Sequence, residues 1–186
     1  MKVCILSDSH DRRDLLTAAV GDAAARGAEM VLHGGDVVAP STLSVLKPFA
    51  LPVHVIHGNN TGDLYAMNNM ARRKGSVVHY HGQDMDTEIA GRRVFMVHYP
   101  HYARGMATTG DWDLVICGHS HRTVIEPVPN IKGGETLLVD AGTVGGVAAP
   151  ATYVFADLAA WAFEVVRVPE PEPLPREPLA ADPLGA

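Results

Sequence analysis

Only two cysteines, Cys4 and Cys117, occur among the 186 residues, and each sits inside an apolar run (Val3-Cys4-Ile5-Leu6 and Ile116-Cys117). That setting predicts buried thiols acting as small hydrophobes. Apolar runs long enough to cross a bilayer, ~20 residues, are also missing, which argues against a membrane protein. The chain begins Met1-Lys2-Val3, entering a strand without the apolar h-region of a signal peptide, so the expectation is a soluble cytoplasmic protein. Basic residues are in deficit, 15 Lys and Arg against 21 Asp and Glu, for a formal charge of −6. A nucleic-acid polymer is therefore a poor partner, since backbone binding needs a basic face. Phosphate esters are not excluded as substrates, because bound divalent cations can invert a local field.

A chain of 186 residues fits one domain. A domain of this size buries about 70% of its unfolded surface, so a metal it holds is expected to work rather than staple. Short β-branched runs, Val3–Ser7, Met30–His33, Val53–His57, Val94–His98 and Leu114–Cys117, read as buried strands. Between them, Asp11 is positioned to cap a helix from Arg12 to about Arg26, stopped by Gly27; further helices fit Thr42–Leu46 and Leu64–Lys74. Ser76–Tyr80, Asp86–Ile89 and Arg92–His98, separated by Gly82 and Gly91, predict antiparallel neighbours. Thr123–Glu126, Thr136–Val139, Tyr153–Ala156 and Ala162–Val168 add strands. An alternating α/β half followed by a strand-rich half predicts an α/β fold of two packed sheets with helices outside. Residues 1–168 form the predicted domain; residues 169–186 are rich in Pro, Glu and Ala and are expected to be disordered or loosely docked.

Polar residues cluster where the strands stop: Asp8-Ser9-His10, Gly35-Asp36, Gly58-Asn59-Asn60, His98 and Gly118-His119-Ser120-His121. Ligands in open α/β sheets usually bind beyond carboxyl-terminal strand ends. Imidazole with carboxylate suits Mn, Fe, Zn, Co or Ni, and the donors outnumber the needs of one tetrahedral ion. Two ions sharing a carboxylate would use them all, an arrangement suited to in-line phosphoryl displacement. Residues two apart on an extended chain face the same side, so Asp8 and His10 can share an ion. The same spacing lets His119 and His121 serve neighbouring ions. Glycines precede ligand positions because a chain turning close to an ion tolerates no Cβ there.

The ordered series Asp-x-His, Gly-Asp, Gly-Asn, His, Gly-His-x-His, spread from Met1 to about Leu158, resembles the calcineurin-like metallophosphoesterases. The compact length resembles their small bacterial and archaeal phosphodiesterase branch. The resemblance implies a four-layer αββα sandwich of two packed mixed β-sheets flanked by helices. It also implies two divalent transition-metal ions, Mn first, with Fe, Zn, Ni or Co as alternatives. Carried over by position, one ion takes Asp8, His10, Asp36 and His121, and the other takes Asp36, Asn59, His98 and His119. The implied reaction is hydrolysis of a small phosphodiester by a metal-bridging hydroxide, and relatives in this branch often form dimers or tetramers.

The chain departs from the family pattern at two places. Gly58-Asn59-Asn60-Thr61 stands where the family often has Gly-Asn-His-Asp/Glu. Asn60 can donate to a phosphoryl oxygen but cannot act as a general acid, and Asp63 is the nearest substitute for the motif carboxylate. His101, in His98-Tyr99-Pro100-His101, is the candidate proton donor, although the small branch often has His-Gly-His there. Arg12 and Arg104 are further candidates to pair with phosphate. Asp140-Ala141-Gly142-Thr143 fits a turn behind the site. His33 and His57, before the glycines at strand ends, read either as simple packing residues or as partners bonding a ligand carboxylate or the backbone, whereas His54, His79 and His81 read as strand or turn residues without a catalytic part. The rival from another class is an interaction module, like the retromer subunit that keeps this fold with an impaired site.

Overall fold

The computed structural model describes residues 1–171. Eleven strands form two sheets. β1 (Lys2–Leu6), β2 (Met30–His33), β3 (Val53–Val55) and β4 (Val78–Tyr80) run parallel. β10 (Thr152–Asp157) and β11 (Ala162–Arg167) extend them antiparallel, in the order β11-β10-β1-β2-β3-β4. The second sheet has the order β5-β6-β7-β9-β8, built from β5 (Asp84–Ile89), β6 (Arg92–Val97), β7 (Leu114–Cys117), β8 (Thr123–Pro129) and β9 (Glu135–Ala141). Helices α1 (Arg13–Ala25) and α2 (Leu64–Arg72), with a 3₁₀ helix over Pro40–Phe49, cover the first sheet, and α3 (Pro100–Thr109) covers the second.

Alternation along the strands builds the layers. In β1, Cys4 and Leu6 face the helical layer and share a core cluster with Leu16 and Val20 of α1 and Leu46 of the 3₁₀ helix. Val3 and Ile5 point the other way and pack on Met96, Leu114 and Ile116 of the second sheet. The outer face of that sheet, with Phe95, Val115 and Leu138, buries Ala103 and Ala107 of α3. Both cysteines are buried free thiols, and burial pushes each thiol well above its ordinary range. The result is the expected αββα sandwich. No helix among the described residues is long and apolar enough to cross a membrane.

Three local expectations are corrected. β4 pairs in parallel with β3 and belongs to the first sheet, so of the three strands expected to lie antiparallel only β5 and β6 do so. The chain changes sheets at the positive-φ Gly82. Asp11 does not cap α1: with φ of 58° it turns away, and its carboxylate accepts from the Ala39 amide and the Thr42 hydroxyl, tying the first ligand loop to the second. A helix, α3, occupies Pro100–Thr109 where none was expected, with Pro at its first turn and Gly110 in the left-handed conformation at its end. The Pro/Glu/Ala-rich tail falls largely outside the described residues.

Candidate metal centre

The strands deliver their polar ends to one place because the loops that follow keep pairing after the sheet ends. The Asp8 amide donates to Gly35 O at 2.9 Å and the His10 amide to Asp36 O at 3.0 Å, locking the loop after β1 onto the loop after β2. The loop after β9 closes from the other side, with Thr143 Oγ1 and the Gly145 amide both donating to Asp8 O. Asp8, His10, Asp36, His119 and His121 all have φ between 43° and 69°. Non-glycine residues held left-handed cost of order 1–3 kcal/mol each and concentrate at functional sites.

All seven expected ligands converge. His121 Nε2 lies 3.2 Å and His10 Nε2 3.6 Å from Asp8 Oδ1, and the two imidazole nitrogens are 3.3 Å apart. Asp36 lies between two groups: its Oδ2 is 3.8 Å from His10 Nε2 and its Oδ1 3.3 Å from His98 Nε2. Beyond it, Asn59 Oδ1 meets His98 Nε2 at 3.1 Å and His119 Nδ1 at 2.7 Å. Asp8, His10 and His121 form one cluster able to hold a cation, and Asp8, Asp36 and His98 form another.

Several observations fit this donor set to metal. Asp8 Oδ1 is buried without a hydrogen bond, a costly state for a carboxylate oxygen unless a cation faces it. His98 is buried and its Nδ1 contacts Gly34 O at 2.8 Å; a carbonyl only accepts, so Nδ1 carries the proton and Nε2 presents its lone pair to the centre. A Cβ on Gly58 would stand 2.1 Å from Asp36 Oδ1, and one on Gly118 would stand 2.4 Å from Asp8 Oδ2. Glycine is required at both positions by close approach.

Asn60 is bound to Asp36. Its backbone amide donates to Oδ1 at 2.9 Å and its side-chain amide to Oδ2 at 2.6 Å. Burial raises the Asp36 carboxyl, but these bonds and the His98 and His10 rings outweigh it and hold it below the usual range. His101 is exposed on the first turn of α3, and the Tyr99 ring contacts both it and His119: ring centres are 5.7 Å apart for Tyr99 and His101 and 5.0 Å for Tyr99 and His119. Asp63 caps α2 by accepting from the Ala66 amide. Arg12 forks onto Asp14, and Arg104 pairs with Glu126.

Supporting residues lie one step behind the ligands. His33 accepts from the Gly35 amide at Nδ1, so its Nε2 is the donor toward Ser9 Oγ, 3.1 Å away. Burial, and then the His98 ring, lower its pKa to about 3, so His33 is a neutral strut under the Asp8–His10 turn. His57 meets the Tyr80 hydroxyl at 2.6 Å. Asp140 accepts from Ser120 Oγ at 2.6 Å and from the Gly142 amide at 3.1 Å, which fixes the loop between His119 and His121. This role of Asp140 was not apparent from its place in a turn motif. Ser120→Ala is expected to weaken metal affinity by roughly 10–100-fold, as losses of outer contacts do; equilibrium dialysis against Mn(II) measures it.

Comparison with known proteins places the chain in a family. The calcineurin-like phosphoesterase superfamily domain matches residues 1–160. A phosphodiesterase of Methanocaldococcus jannaschii is 28% identical over 138 residues, covering 70% of this chain and 80% of that protein. A solved archaeal phosphodiesterase superposes with a TM-score of 0.79 at 22% identity, over 90% of this chain and 99% of the other. Vacuolar protein sorting 29 from Cryptosporidium parvum shares the fold at a TM-score of 0.59 and 15% identity, over 89% and 95% of the two chains. With the family domain spanning nearly the whole described chain, the protein belongs to the calcineurin-like phosphoesterase superfamily, whose members are metal-dependent phosphoester hydrolases.

Proposed function

We propose that this protein hydrolyses a small phosphodiester at a centre of two divalent transition-metal ions, with Mn the first candidate. The observation that carries this reading is the position of Asp36, whose two carboxylate oxygens face different imidazole groups. Asp8, His10, Asp36 and His121 would hold one ion, and Asp36, Asn59, His98 and His119 the other. When bound, the ions would polarise the phosphoryl group and acidify the attacking water.

Each remaining role belongs to the chain itself. Asn60 acts as a positioning residue, because one N–H of its side-chain amide is committed to Asp36 Oδ2; the second N–H is the donor left for a phosphoryl oxygen. His98, fixed through Gly34, keeps its ring from rotating out of the centre. Beside His98 and Tyr99 opens a cleft of ≈ 220 Å³, which continues past Gln83 and Val97 into a groove of ≈ 370 Å³ bordered by Phe95, His101 and Tyr102. A leaving arm lying in that groove passes His101, which then supplies the proton. A small diester is of a size to occupy these clefts.

A proton donor matters only when the leaving group is poor, and general acid catalysis contributes about 10²–10⁴-fold. His101→Gln is therefore expected to slow alkyl diesters by about 10²-fold while leaving p-nitrophenyl diesters nearly unchanged. Equal effects on both classes would remove His101 from that role.

The rival reading, an interaction module, draws support from the shared fold of vacuolar protein sorting 29. The complete ligand set argues against an impaired centre here. Turnover of a chromogenic diester with and without chelator, alongside the metal content per chain, separates the two. Chelator-sensitive turnover supports the enzyme; less than one metal per chain with no such turnover supports the module.

A further inference from the structure

Three histidines outside the catalytic centre share one edge of the first sheet. His54, in β3, lies directly opposite His79, in β4, and pairing continues through the His81 amide, which donates to Val55 O at 3.0 Å. Side chains two apart on a strand share a face, so His79 and His81 flank His54 from the neighbouring strand. β4 ends its sheet, which leaves the trio open to solvent at the rim; His79 and His81 are exposed and His54 is half-buried.

Their rings are ordered against each other. His54 Nδ1 lies 2.9 Å from His81 Nε2, with ring planes 14° from parallel, and the His79 ring stacks on His54 at 4.9 Å between centres. Zinc bonded tetrahedrally at 2.0–2.1 Å holds two ligand nitrogens about 3.3 Å apart. To admit a cation, the His54 and His81 nitrogens must therefore separate by about 0.4 Å and both rings must turn so that their lone pairs converge on it. In the catalytic centre the His10 and His121 nitrogens already stand 3.3 Å apart.

We propose that His54, His79 and His81 form a second, peripheral site for Zn(II), Ni(II) or Cu(II), with His54 Nδ1 and His81 Nε2 as the first ligands. His79 completes the set by rotating about its side-chain torsions, and water fills the remaining positions. An all-imidazole set selects these ions over Mn(II), which stands lowest in the affinity order of the divalent series. The ligands are in the required state at neutral pH: burial, then the His81 and His79 rings, lower His54 to about 4, and burial, then the His79 ring, lower His81. A bound ion would tie the edge strand β4 to β3 through side chains, in addition to the backbone ladder.

The test counts metal in the full-length protein. Wild type and the double variant His54→Gln/His81→Gln are dialysed against micromolar free Zn(II), and Zn per chain is measured. The expected result is one fewer ion per chain in the variant, with unchanged Mn(II)-dependent diesterase activity showing that the catalytic centre is intact. Zn-edge anomalous diffraction from wild-type crystals needs no variant and should place a peak between His54 and His81. Equal Zn content in the two proteins, or no anomalous peak at that edge under saturating Zn(II), would overturn the proposal.

Discussion

An Asp36→Asn protein is expected to keep its fold and lose diesterase turnover by roughly 10²-fold or more, beyond the cost of disturbing only an outer contact. Asp36 receives two hydrogen bonds from Asn60 and faces both His10 and His98. The substitution removes the charge these groups surround and turns an amide NH₂ toward donors. The fold should survive because the three apolar clusters that fill the layers do not include Asp36. His121→Ala tests the same centre from a partly exposed position, where side-chain loss disturbs little packing. Far-ultraviolet circular dichroism and turnover at saturating Mn(II) decide the matter. Near-wild-type turnover in either variant would contradict the shared-carboxylate assignment.

Gly58→Ala should be as damaging to activity without removing a ligand. The new methyl would stand 2.1 Å from Asp36 Oδ1 and 2.7 Å from the His98 ring, and neither neighbour can withdraw. Asn60 holds the carboxylate, and Gly34 O holds a ring that is nearly fully buried. Overpacking of this kind costs about 1–3 kcal/mol, so the melting temperature should fall together with metal affinity. Gly105→Ala provides the contrast. Gly105 sits in α3 with open space around it, and alanine there should stabilise by about 0.5–1 kcal/mol. If Gly58→Ala melted like wild type and bound metal normally, the close approach would not be what keeps glycine at that position.

Much of this architecture is legible along the chain because strand ends carry their own signal. β2 and β7 have the expected bounds, Met30–His33 and Leu114–Cys117, since each is an apolar run, ended by His33 in one and followed by Gly118-His119 in the other. The same contrast marks the candidate ligands, of which Asp8, His10, Asp36, His98 and His121 fall into two groups able to hold a cation. What stays hidden depends on partners distant in sequence. β4 reads locally like a hairpin strand, yet its pairing is decided by β3 some 25 residues earlier. Asp11 has the composition of a helix cap, but the Asp8–His10 turn points it at the Ala39 amide. Asn60 offers an amide whose target cannot be read from spacing; the fold directs it to Asp36, 24 residues away. Nothing in the local sequence around Tyr99 indicates that its ring packs on both His101 and His119. Similarly, the histidines at 54, 79 and 81 become a cluster only when β4 lies beside β3.

One carboxylate, Asp36, is proposed to serve two ions. Anomalous diffraction from Mn(II)-soaked crystals tests it most directly, because the peripheral histidines hold that ion most weakly. Two peaks per chain are expected, separated by ~3.5–4 Å, one beside Asp8, His10 and His121 and one beside Asn59, His98 and His119, with Asp36 between them. A single peak at saturating Mn(II), or two peaks that do not share Asp36, would contradict it.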